Sequence, residues 1–134
     1  MYGLREFGNL PPGTVISVQN LFYRHVGILG GLTMFGERVV ISFSNERNGY
    51  TEEPMSKFSK GREIKVHSTY GKLAPWQVLS RAKQWQGFSY SWIKRNCEHF
   101  VRHAHGLPVE SPQVQLATVA GGMLLCALGV AGRT

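Results

Sequence analysis

The sequence predicts a single α+β domain, a small sheet followed by helices, with a cysteine at a helix N-terminus. Two observations carry that prediction. Short β-branched or alternating stretches fill the first half, whereas helical apolar spacing appears only after residue 73. The second is Arg95-Asn96-Cys97-Glu98-His99-Phe100-Val101, where Asn96 is a strong helix cap and Phe100, Val101 and Ala104 recur at helical spacing.

In chain order, Asn9-Leu10-Pro11-Pro12-Gly13 is a turn and Thr14-Val15-Ile16-Ser17-Val18 a strand. Leu21 to Leu29 reads as a second strand closed by Gly30-Gly31, with Tyr23, His25 and Gly27 on one face and Arg24, Val26 and Ile28 on the other. Arg38 to Ser44 is a third strand, with Ser42 and Ser44 on one face and Val39, Ile41 and Phe43 on the opposite one. Asn45 to Gly49 is a turn, the segment from Tyr50 to Lys60 is polar and surface-bound, and Arg62 to His67 alternates as a half-exposed strand. Pro75 opens a helix whose apolar stripe is Trp76, Val78, Leu79, Ala82 and Trp85, and Gly87 ends it. The linker Phe88-Ser89-Tyr90-Ser91-Trp92 leads to the Cys97 helix, which stops near Gly106-Leu107-Pro108.

The chain has 134 residues, enough for one domain with a modest core. We divide it into a domain over 1–113 and a hydrophobic tail over 114–134. From Leu116 through Gly132 no residue is charged, a stretch at the short edge of what spans a bilayer. Lys and Arg number 15 against 8 Asp and Glu, a net +7 that favours anionic partners such as a phospholipid membrane surface. Nucleic acid has only that charge behind it. Two cysteines, Cys97 and Cys126, make no disulfide framework, and no secretion signal or N-myristoylation pattern opens the chain, so a cytoplasmic, peripherally or C-terminally membrane-associated protein is expected.

Residue chemistry alone leaves Cys97 between two readings. A cysteine at the first position of a helix is favoured as a thiolate by free N–H groups and the helix dipole, yet most free cysteines are small buried apolar groups. His25 is equally open, as a hydrogen-bonded core histidine or an acid/base group facing a cleft. His99 and His103 share a helical face as zinc ligands can, but Phe100 stands where a metalloprotease has its acid and no further ligands are supplied. No metal or cofactor is therefore expected, and the histidines are placed on the exposed or cleft side of their helix.

Tyr23-Arg24-His25-Val26-Gly27-Ile28 resembles the H-box, and Asn96-Cys97-Glu98-His99-Phe100-Val101 the NC-box, of the lecithin:retinol acyltransferase-like proteins. That group includes the H-Ras-like suppressor phospholipases/acyltransferases and picornaviral H-box/NC non-structural proteins. The resemblance runs over roughly 8–115 and implies a circularly permuted papain-like fold, a small antiparallel sheet packed against helices. It implies Cys97 as nucleophile on a phospholipid ester and His25 as base, with Asn96 as structural cap. Tyr23 is then a candidate oxyanion donor beside the backbone N–H groups of the Cys97 helix. The chain departs from the family on the strand after the H-box, where a second histidine often orients the base. Here Ser42 is the best substitute by face and Ser44 the next. That departure keeps a second class alive, a weakly active or inactive relative, for example viral, that binds host or cellular proteins at a membrane. A thiol protease is a weaker third reading.

Overall fold

A computed structural model describes residues 9–67, 71–91 and 95–108. Five strands form one antiparallel sheet: β1 (Val15–Gln19), β2 (Arg24–Met34), β3 (Glu37–Ser44), β4 (Gly49–Pro54) and β5 (Lys65–His67), in the order β4-β3-β2-β1-β5. Three helices accompany it: α1 (Met55–Ser59), α2 (Pro75–Lys83) and α3 (Cys97–Ala104). The architecture is α+β, as expected. The tail from 114 onward lies outside the described residues. Among the described residues no helix is long and apolar enough to cross a membrane.

Alternation along the strands splits the core between the two sheet faces. Val15, Val26, Ile28, Val39, Ile41 and Phe43 pack with Val78, Ala82, Trp85, Phe100, Val101 and Ala104 of the α2–α3 layer. Ile16, Val18, Leu29 and Val40 face the other way and are covered by Met55 and Phe58 of α1 together with Ile64. Phe43 and Phe100 are fully buried and stack with centroids 5.8 Å apart, so α3 is fixed against β3. The Arg81 Nε donates to the His103 carbonyl at 2.8 Å, tying α2 to the last turn of α3.

Four expectations are corrected. Strand β2 does not close at Gly30-Gly31 but runs on to Met34 through a register shift between Leu29 and Thr33. The buried Arg38 makes this possible, donating to the Gly30 carbonyl at 2.8 Å and to the Leu10 carbonyl at 3.0 Å. The polar segment after Gly49 holds a full edge strand and a helical turn, β4 and α1, where Glu37 accepts from the Ser56 N–H at 2.7 Å and from its hydroxyl at 2.9 Å. Trp76 leaves the apolar stripe and is exposed, because Val78, Ala82 and Trp85 suffice to fill the space against α3. His99 is buried instead of facing outward, whereas the half-buried His103 keeps to the open side, stacking on Trp85 at 5.4 Å and bonding Gln84 at 2.8 Å.

Candidate active site

Helix α3 begins as its sequence dictates. Asn96 is extended and its Oδ1 accepts from the Glu98 and His99 N–H groups at 3.0 Å each, which leaves the Cys97 N–H beside its own sulfur. Glu98 follows within the first turn, fully buried, with a carboxylate oxygen 3.5 Å from Arg24 on β2. This ion pair joins the residue before His25 to the residue after Cys97. The two short motifs, more than seventy positions apart, are thus laid side by side.

The thiol meets β2 at its edge. Strand β3 pairs with β2 only from Gly27 onward, so the polar groups of Arg24 and Val26 on that side are open to α3. The Cys97 Sγ lies 3.7 Å from the Arg24 carbonyl, which its S–H reaches as donor, and the Val26 N–H also addresses the sulfur. The sequence predicts a depressed thiol pKa at this helix start. Burial moves it the other way, from 9.0 up to about 11, and the N–H groups of Val26, Glu98 and Cys97 only moderate the rise.

His25 belongs to the next position along the same strand, and its side chain takes the opposite face. It stacks on Phe58 of α1 with centroids 4.8 Å apart, and Phe58 also overhangs Gly27, where a Cβ would come within 2.9 Å of the Phe58 ring. The space above Gly27 is filled by this phenyl group. Burial lowers the imidazole from 6.5 to about 4, with Glu46 opposing the shift and Lys60 adding to it. Its Nδ1 has no hydrogen-bond partner among the described residues, and no hydrogen bond joins it to Cys97.

The remaining expected residues divide in the same way. Ser42 pairs with Gly27 across the β2–β3 ladder, so it shares the His25 face; it is fully buried and its Oγ is also without a partner. Ser44 lies farther along that face and is buried. Tyr23 does not follow the alternation that set it beside His25. It belongs to the turn before β2, its carbonyl taken by the Asn20 N–H at 2.8 Å. Its ring packs against the core on the α3 side and meets the imidazole edge-on, with ring centroids 6.3 Å apart. Among the described residues no group of three His, Cys, Asp or Glu could hold a metal ion.

One residue at the thiol carried no local signal in the sequence. Tyr90, in the segment read as a linker, stacks on Phe43 at 6.0 Å. Burial first, and then neighbouring Cys97 and Tyr23, push its phenol above the ordinary range. Tyr90 is thus the phenol that feels the sulfur, with Tyr23 as its neighbour. The arrangement can present a thiol at a helix N-terminus to an electrophilic carbonyl, with N–H and O–H donors nearby for the oxygen.

A family model described as lecithin retinol acyltransferase matches residues 9–106, which spans every element above. No curated protein matches the chain significantly.

Proposed function

The chain belongs to the lecithin retinol acyltransferase family, whose general activity is acyl transfer, and from this we propose that it is a thiol-dependent phospholipase/acyltransferase working through an acyl-Cys97 thioester. The supporting observation is the Cys97 sulfur at the capped start of α3, touching the β2 backbone on both sides of His25. In the proposed cycle the imidazole turns from its Phe58 stack toward the sulfur and takes the thiol proton, and the sulfur attacks a phospholipid ester carbonyl. The Cys97 N–H, with a Tyr23 or Tyr90 hydroxyl, receives the developing oxyanion. Collapse expels the lysophospholipid alcohol, which takes the proton back from His25. Water, an amine or another alcohol then accepts the acyl group.

A neutral imidazole is the protonation state a general base needs, and the burial of His25 keeps it so at neutral pH. Ser42 fits a positioning role, because its orphaned hydroxyl and the orphaned His25 Nδ1 lie on one face of neighbouring strands. Fatty-acid release from phosphatidylcholine vesicles tests the reading. Cys97→Ser and His25→Ala are each expected to lower the rate by at least about a hundredfold. Ser42→Ala is expected to lower kcat and shift its pH profile, a change that a purely structural serine would not produce. Undiminished release by a folded Cys97→Ser protein would overturn the proposal.

A second reading rests on a specific observation. With the thiol pushed up to about 11, the imidazole down to about 4 and no hydrogen bond between them, proton transfer is uphill in the resting protein. A non-enzymatic binding protein on the same fold would tolerate that arrangement. It predicts that Cys97→Ser leaves cellular function intact.

A further inference from the structure

Two-residue hairpin tips are ordinarily Gly, Asn or Asp, because the tip faces water and its backbone turns sharply. The β1–β2 turn departs from this. Leu21 and Phe22 occupy the tip and are 81% and 89% exposed. The turn is nonetheless well held, with the Asn20 N–H on the Tyr23 carbonyl at 2.8 Å and the Arg62 guanidinium on the Asn20 side chain. A Leu-Phe pair projected into water contributes nothing to the core, so its contribution belongs to something outside the domain.

Basic groups surround the tip. Arg24 lies two residues past Phe22 with 42% of its side chain exposed, Arg62 is bonded to Asn20 just before the tip, and Lys65 stands on β5 opposite Ser17. The register puts Lys65 across Ser17 from Val26, two positions from Arg24, so Arg24 and Lys65 share one face of the sheet. Against them stand Glu63, exposed in the same stretch, and Glu98, buried against Arg24. The same end of the sheet carries the thiol, because the Arg24 carbonyl is its contact. The β2–β3 tip, at the far end from the thiol, also exposes Leu32 and Phe35, but the cation beside it, Arg38, is buried on two carbonyls, and its other neighbouring charge is the acidic Glu37.

We propose that the Leu21–Phe22 tip, ringed by Arg24, Arg62 and Lys65, inserts into the surface of an anionic phospholipid bilayer and seats the Cys97 end of the protein on it. The pairing of an apolar wedge with surrounding cations matches the two layers of such a surface, acyl chains below and phosphates above. The inference rests on the acyl-transfer reading only where it says what the lipid is delivered to; the docking stands apart from turnover.

Hydrogen exchange of the full chain carrying Cys97→Ser, which cannot form the acyl thioester, tests the docking separately from catalysis. Vesicles of phosphatidylcholine with phosphatidylserine are expected to slow exchange over residues 20–24 by roughly tenfold or more and to leave residues 32–36 unchanged. Leu21→Ser with Phe22→Ser is expected to abolish that protection, and high salt to weaken it. Because the readout is local, binding contributed elsewhere in the chain does not decide it. An unchanged rate over 20–24 at saturating lipid, or protection that appears only over 32–36, overturns the proposal. Equal protection by phosphatidylcholine alone overturns its anionic part. Failure of the wild-type protein to turn over phospholipid, with the protection present, would instead count against the acyl-transfer reading.

Discussion

At the scale of the residue, the site is governed by burial. Cys97 at its helix start and His25 on its strand are the thiol and imidazole of the proposed mechanism, and desolvation favours the neutral form of each. This has a consequence for stability. The His25 imidazole binds a proton at 6.5 when unfolded and only at about 4 when folded, so its contribution is fully present above 6.5 and is lost as pH falls toward 4. The loss amounts to about 3 kcal/mol. His67, His103 and His105 are also lowered by burial and act in the same direction. Urea unfolding followed between those pH values is expected to show stability falling with acidity, and His25→Gln to reduce the slope. An unchanged slope in that variant would mean that the imidazole is not buried as described. At the alkaline end, the raised Cys97 thiol makes stability decline again as pH rises from 9 through about 11.

At the scale of the element, β2 organises both faces of the site. Its odd positions from His25 to Leu29 meet α1 and its even positions from Val26 meet α3, while the backbone between them meets the thiol. At Gly27 the strand leaves no room for a side chain beneath α1. A Cβ there would lie 2.9 Å from the Phe58 ring, 3.0 Å from Val40 and 3.1 Å from the Ile41 carbonyl. Gly27→Ala is therefore expected to destabilise by about 1–3 kcal/mol and to displace Phe58 from His25; a melting temperature unchanged from the parent would contradict the packing. These elements also mark what the sequence made legible. Asn96 and the apolar spacing after it are local signals, as is the alternation that puts Ser42 opposite Phe43, and each survives in the structure. The continuation of β2 past two glycines depends on a guanidinium from β3, and α1 depends on a carboxylate from Glu37. The phenyl group over His25 comes from α1 and the phenol beside Cys97 from beyond α2, and no window of neighbouring residues contains either pairing.

At the scale of the whole molecule, the antiparallel sheet places its β1–β2 and β3–β4 turns, the entry to β5 and the start of α3 at one end. That end carries the thiol, the exposed Leu-Phe tip and a share of the net +7 charge. The proposed acyl chemistry and the proposed lipid docking would thus share one location, as a protein acting on bilayer phospholipid requires. The acyl-Cys97 thioester is the point on which the whole reading depends. Intact-protein mass measurement after exposure of the full chain to phosphatidylcholine vesicles and acid quenching tests it most directly. A mass increase of one fatty acyl group is expected, mapped to Cys97, released by hydroxylamine and absent from both Cys97→Ala and a non-hydrolysable diether lipid. Lipid turnover with the acyl group never on Cys97, or a folded protein that forms no adduct and turns over no lipid, would contradict it.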